Sequence, residues 1–325
     1  QRVDLQPADG WTNVPESFSP AMEQQLVQTN TAFPVESNVD RAYDLYVYDS
    51  TDDGAVNYDR VLVIPTASAD AGGSPVATTK DGATSVADIA AGEWADVKVT
   101  LAGERAGQTA GFYLKAIEIA PDLSQFRIYY TSITRPDATY NGCTYAADCA
   151  GPMGFAETLA KDFPSATAAD FAPLEAGIVD EETYVEQGHM WEEAHWAYLR
   201  YIVEDLGVTP DLLLLGNPIT DEFSHQFLGL VTETNADGSP NPYYDDLDAD
   251  GTKDNRVDAR NGFIRSAYET ADGTLALVGG WMSGNVILIW YTVRVRGTIT
   301  LYAWKRECGG PRCGRCSGVW RSQPC

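Results

Sequence analysis

Asp221 and His225 are the residues of this chain whose types and spacing point most directly to chemistry. They stand four apart in Ile219-Thr-Asp-Glu-Phe-Ser-His225, and on a helical turn that spacing puts both side chains on one face. A carboxylate oxygen and an imidazole nitrogen are donors that zinc takes, so the two can share one cation. Without a metal the same residues read as an N-cap or first-turn acid and a satisfied imidazole. Upstream, Leu212 to Leu215 form an apolar run that predicts a buried strand from Asp211 to Leu215 in a parallel sheet. Gly216-Asn217-Pro218 comes next as a loop, which sets the pair just beyond the strand's carboxyl end, where open α/β sheets bind ligands.

A second set of cation donors lies at Asp246, Asp248, Asp250 and Asp254, with Gly251 closing the alternation. Oxygen ligands at alternate positions wrap a hard cation such as calcium, and the glycine permits the sharp turn. An EF-hand places a bidentate Glu at its twelfth position, where this chain has Val257, with Asp258 adjacent. Asp-Ala-Asp-Gly is also ordinary turn chemistry on an acidic surface, so a structural calcium loop and a plain turn both remain open.

The elements that must carry these groups follow from hydrophobic periodicity. Tyr184, Gly188, Trp191, His195, Tyr198 and Ile202 recur at helical spacing between Glu181 and Asp205, with acids in the first turn and Gly207 as the stop. His195 falls on that stripe as a packed residue, and His189 falls off it, towards solvent. A further helix is predicted over Arg256–Glu269 and a strand over Val286–Trp290, the latter too short to span a membrane. Residues 1–40 read as an extended connector. Residues 41–135 read as β-rich, with a hairpin of Tyr43–Tyr48 and Tyr58–Ile64 about the turn Asp49–Gly54. Ala95–Leu101, Gly111–Ile119 and Phe126–Ile133 are further strands. This half reads either as a substrate-gating or carbohydrate-binding-like module or as a structural elaboration, and the absence of converging titratable groups favours the second. Residues 136–273 form the α/β region with the metal motif, opening on a short helix at Gly154–Lys161.

The Asp-x-x-x-His pair after its apolar strand and Pro-bearing loop resembles the metal motif of type I phosphodiesterases and nucleotide pyrophosphatases, within the alkaline phosphatase superfamily. Val179-Asp-Glu-Glu-Thr-Tyr-Val-Glu-Gln187, Trp191 and the helix to Asp205 are similar to the segment ahead of that motif in bacterial members. Asn241-Pro-Tyr-Tyr-Asp-Asp-Leu-Asp-Ala-Asp-Gly251 is similar to the segment behind it. The resemblance runs from about Asp180 to Asp272. It implies part of an alkaline-phosphatase-like open sheet flanked by helices, with a β-rich insert in the first half. It also implies a phosphate ester or nucleotide as substrate, and Asp221 and His225 as ligands of one zinc in a two-zinc site. Family members add an earlier Asp, a Thr or Ser nucleophile, a later Asp-His pair and a final His. This chain has three histidines, His189, His195 and His225, and no upstream segment matches the nucleophile motif. The expectation is an internal piece of such an enzyme, with the nucleophile unassigned and little activity of its own. The alternative is a secreted calcium-dependent binding module.

Charge and cysteine usage bound the partners. A net charge of −25 over 325 residues repels a nucleic-acid duplex and suits cations. Residues 274–325 reverse the trend: they hold one of the 47 acids, Glu307, against seven of the 22 bases, with four of the six cysteines. Cys313-Gly-Arg-Cys316 with Cys308 and Cys325 has zinc-ligand spacing, while the abrupt change of composition favours a segment foreign to the rest of the protein. Cys143 and Cys149 enclose a short loop and read as a local disulfide, or as two free thiols. The chain shows no basic segment leading into an apolar run at its start, so no signal peptide is read there; a secreted, periplasmic or cell-surface location is the expectation.

Overall fold

The computed structural model describes residues 4–28, 41–69, 75–77, 79–102, 105–136, 138, 154–208, 213–281, 287–293 and 299–305. They form a mixed α/β protein whose named strands all pair antiparallel. The chain divides into two compact units, Gln1–Ile264 and Arg265–Cys325.

In the first unit, β1 (Gln6–Pro7), β2 (Met22–Gln28), β3 (Arg41–Tyr48), β4 (Arg60–Ala69) and β5 (Pro75–Ala77) lie side by side in that order, with β6 (Ala87–Ala90) also paired to β4. A second sheet runs β7 (Trp94–Thr100), β8 (Thr109–Ile119), β9 (Phe126–Tyr130). Period-two alternation explains their packing. Tyr43, Leu45 and Val47 of β3 and Val61 and Val63 of β4 share one core with Phe112, Leu114 and Ala116 of β8. Tyr46 and Tyr48, on the other face of β3, are covered by Trp11, Val14 and Ala21. Every residue of β3 is therefore buried. The expected hairpin at Tyr43–Ile64 is present as β3 and β4. The connector expected over 1–40 is corrected at Met22–Gln28, which pairs along β3 and completes its hydrogen bonding.

Helices α1 (Phe155–Asp162), α2 (Phe171–Glu175), α3 (Glu181–Arg200) and α4 (Ile219–Val231) come after the sheets, and α5 (Val257–Trp281) begins in this unit. Asp180 caps α3, its carboxylate accepting the Thr183 N–H at 2.7 Å. The helix passes into a π-type turn over Tyr201–Asp205 and stops at Gly207, whose φ of 64° is left-handed. One side of α3 docks on the three-stranded sheet through polar contacts. The buried Lys115 of β8 donates to Thr183 Oγ1 at 3.0 Å and to Glu186, and lies over the Trp94 ring. Trp94 Nε1 donates to the same Glu186 carboxylate at 2.7 Å, and Gln187 donates to the Tyr129 hydroxyl at 3.2 Å. The other side takes α4. A Cβ on Gly188 would sit 2.5 Å from the Phe223 ring, so the absence of a side chain is what lets the two helices close.

The parallel strand expected ahead of the metal pair is not formed over Leu213–Leu215. These residues are irregular, and Leu214 is 83% exposed. An apolar run becomes a strand only where a neighbour completes its hydrogen bonds, and among the described residues none lies alongside. Helix α5 extends well past the expected Glu269. The unit Arg265–Cys325 carries the hairpin β10 (Ile287–Val293) with β11 (Ile299–Lys305), in agreement with the strand expected near Val286–Trp290. No described helix is long and apolar enough to cross a membrane. Cys143, Cys149 and Cys308 to Cys325 lie outside the described residues.

Gly188→Ala forces the new methyl against Phe223 and is expected to destabilise the protein by about 1–3 kcal/mol. Urea unfolding measures this. Adding Phe223→Leu to the Gly188→Ala chain recovers part of the loss if the clash is its source.

Candidate metal centre

Helix α4 separates its faces cleanly. Ile219, Phe223, Phe227 and Leu230 are buried, with Phe223 and Phe227 both against the Tyr184 ring, at centroid distances of 5.7 and 5.8 Å. Asp221 and His225 point away from that core, their side chains 63% and 62% exposed. His225 Nε2 stands 3.4 Å from Asp221 Oδ1. Zinc bonds of about 2.0–2.2 Å at the tetrahedral angle separate two ligand atoms by roughly 3.4 Å, so the pair already spans one edge of such a site. Among the described residues no further His, Cys, Asp or Glu joins them to make a cluster of three. The chain thus supplies two donors and leaves the other positions of a cation open. Beside them, burial and the Asp221 charge push the Glu222 carboxyl up, against the opposing pull of His225.

Glu192 on α3 underlies this turn. Pro218 at the start of α4 offers no side-chain cap, and the loop ahead of it reaches the Glu192 carboxylate on the neighbouring helix through Asn217. Asn217 Nδ2 donates to Glu192 Oε2 at 3.3 Å, and His195 Nδ1 lies 3.9 Å from the same oxygen. Glu192 is 1% exposed, and its Oε1 has no hydrogen-bond partner among the described residues. Burial pushes its pKa up to about 7, with the Ile219 N–H pulling the other way. Helical spacing in the sequence places Trp191 and His195 on the buried stripe. The structure buries Tyr184 and Gly188 of that stripe as expected, adds Glu192 to them, and leaves Trp191 and His195 half-buried. That unbroken spacing of four was the available signal for Glu192. His189 is also corrected: it packs edge-on against Phe223, and burial lowers its pKa despite the Glu193 charge.

The acidic loop brings three of its four expected donors together. Asp246, Asp248 and Asp250 each offer an oxygen, all within 4.8 Å of one another. Ala249 and Gly251 take left-handed φ of 57° and 87°, and the Asp246 carboxylate accepts the N–H groups of Asp250 and Gly251 at 3.1 and 2.9 Å. Asp254 is turned elsewhere. Its Oδ2 accepts the Leu247 N–H at 2.9 Å and Arg260 Nη2 at 2.5 Å. Burial raises the Asp254 pKa, and those two bonds outweigh it, leaving a net lowering. Arg260, 1% exposed, also donates to Glu181 Oε1 at 2.6 Å and Asp245 Oδ1 at 3.0 Å. Arg256 binds Glu181 Oε2 at 2.6 Å and Glu182. Two arginines therefore clamp the base of the loop to the first turn of α3.

Compared with family models, with curated proteins and with solved structures, the chain finds no match in any of the three.

Arg260→Ala strands the buried Asp245 carboxylate without its cation and leaves Glu181 with Arg256 alone, and a loss of about 3–5 kcal/mol is expected in denaturant unfolding. Arg260→Lys recovers little, because an ammonium cannot reproduce the guanidinium fork. Glu192→Gln has the opposite sign. A carboxyl whose folded pKa stands above its usual 4.5 binds its proton more tightly when folded. Wild-type stability therefore falls as pH rises from about 4.5 towards 7 and stays lowered above it. The glutamine variant escapes this fall, and its advantage grows from pH 5 to pH 8 to on the order of 3 kcal/mol. Melting temperatures across that range check it.

Proposed function

We propose that this chain is a metal-dependent phosphoric-ester hydrolase of the type I phosphodiesterase and nucleotide pyrophosphatase kind, holding zinc through Asp221 and His225. The observation that supports this reading is the 3.4 Å approach of an exposed imidazole nitrogen and carboxylate oxygen on one turn of α4. Asp221 supplies charge to offset the cation and His225 a neutral nitrogen donor. Their exposure leaves room for a phosphate ester or nucleotide. A bound zinc stabilises the charge that develops on the transferring phosphoryl oxygens. On this reading α3, the Gly216–Pro218 loop and α4 belong to an alkaline-phosphatase-like arrangement, with Leu213–Leu215 standing where its strand would run. The net charge of −25 is consistent with a small cation-linked substrate and disfavours a nucleic-acid duplex.

Turnover by this chain is expected to be weak. No histidine comes after His225, so the second metal's later Asp-His pair is not supplied, and no residue matches the nucleophile. With zinc and a chromogenic nucleotide phosphodiester, kcat should fall well below the roughly 1–10³ s⁻¹ typical of enzymes. Calorimetric zinc binding should be lost in both Asp221→Ala and His225→Ala. Zinc affinity indifferent to both substitutions overturns the assignment, and a rate in the ordinary enzymic range overturns the expected impairment.

A second reading, a calcium-binding β-rich module without catalysis, is favoured by the gathered oxygens of Asp246, Asp248 and Asp250. Calcium should then raise the melting temperature of the wild type and leave Asp248→Ala unchanged. No calcium-induced shift in the wild type removes this reading.

A further inference from the structure

We propose that two copies of this chain share one zinc ion, each giving Asp221 and His225 from the exposed face of α4, so that the second copy completes the site. This rests on the reading of that pair as zinc ligands. His225 Nε2 and Asp221 Oδ1, 3.4 Å apart, span one edge of a tetrahedron and leave the opposite edge open. Among the described residues no third His, Cys, Asp or Glu joins them to fill it. Both side chains are well over half exposed, so a second protein surface can come up to them. A two-fold axis through the ion turns the one edge into the missing one, and this self-complementary contact is the kind that homodimers use. The resulting donors are two carboxylates and two imidazoles, and the two negative charges match those of the ion.

The rest of the stripe fits a second helix. Leu228 and Gly229, three and four residues beyond His225, continue the exposed face. A glycine inside a helix weakens it, and a Cβ at Gly229 would meet nothing within 4 Å in this chain. Gly188 owes its missing side chain to Phe223, whereas the chain's own packing gives no such reason at Gly229. The close approach of another backbone gives one. Helix dipoles favour antiparallel pairing, which sets Leu228 and Gly229 of one copy opposite the Leu214–Pro218 loop of the other. Leu214 in that loop is 83% exposed, and Leu215 is exposed as well. A few leucines on each side fall short of the interface that a stable dimer needs. The net charge of −25 on each copy also opposes association, so the ion is the link. With four protein donors it has no position left for a phosphate ester, which makes the shared state a resting form.

Sedimentation velocity and calorimetry on the full chain, titrated with zinc chloride, test this. Zinc held elsewhere on the chain is subtracted with the double variant Asp221→Ala/His225→Ala. The wild type should sediment as one chain without zinc. It should then take up about half an equivalent of zinc per chain at this site, with its mass doubling over the same additions. Asp221→Ala and His225→Ala should each abolish the doubling. Gly229→Arg keeps both donors and sets a long charged side chain in the path of the second helix. It should still bind zinc, more weakly and at about one ion per chain, and stay a single chain. One zinc per chain with no change of mass in the wild type overturns the shared site and leaves the zinc assignment standing. So does a dimer already present without zinc, or a doubling that survives either alanine substitution or Gly229→Arg. No difference in zinc uptake between the wild type and the double variant overturns the zinc assignment and the shared site together. Should Gly229→Arg fail to fold, the stoichiometry and mass of the wild type against the double variant still decide.

Discussion

One guanidinium organises the α-helical part of the first unit. Arg260, all but sealed from water, donates to Glu181 at the start of α3 and to Asp245 and Asp254 at either side of the acidic loop. A lone buried cation in this place would be untenable, and so would three carboxylates without it. Geometry settles the balance: the fork of an arginine can meet three acceptors in three directions at once. Burial drags the Arg260 pKa down, and the hydrogen bonds with Asp254 and Glu181 more than restore it. Arg256 repeats the device one turn earlier, on Glu181 and Glu182. The first turn of α3 gathers acids because the helix dipole welcomes them, and those acids in turn hold the loop.

From that anchor α3 works as a platform with two kinds of seam. Towards the sheet it uses buried polar chemistry, with Lys115 and Trp94 meeting at the Glu186 carboxylate. Towards α4 it uses a missing side chain and a buried acid, Gly188 and Glu192. The first seam does not depend chiefly on apolar area, and its hydrogen bonds give it a defined register. The second is apolar at its centre, where Phe223 and Phe227 pack on the Tyr184 ring and Phe223 fills the space left at Gly188. The exposed face of α4 is set by that fit.

Local patterns were legible in the sequence wherever a residue's own neighbours decide its fate. The hairpin of β3 and β4, the stop at Gly207 and the shared face of Asp221 and His225 all come from spacing within a few residues. What escaped was decided by distant partners. Four leucines look like a buried strand, but a strand needs a neighbour that only the tertiary fold can provide. Residues before Arg41 look like a linker because β2 mixes glutamines with its apolar residues, and its register comes from β3. Glu192 was missed because an acid is presumed to face water, while the row Tyr184, Gly188, Glu192 was already in view.

The acidic loop shows how one long-range partner splits a sequence motif. Asp246, Asp248 and Asp250 alternate, Asp254 follows four residues on, and spacing alone treats the four as one ligand set. Arg260, six residues beyond Asp254, reaches back to claim that carboxylate together with Asp245. Asp246, Asp248 and Asp250 lie beyond its grasp and turn to backbone N–H groups. An N–H carries only a partial charge, so these three carboxylates retain most of their negative field, and their oxygens still face one another within 4.8 Å. Such an arrangement offers oxygen alone, the preference of a hard cation, whereas the Asp221–His225 edge offers nitrogen and oxygen, the preference of zinc. The two acidic features of this chain therefore differ in kind, and an arginine that neutralises one end of the loop is the reason its calcium-like spacing stops at three.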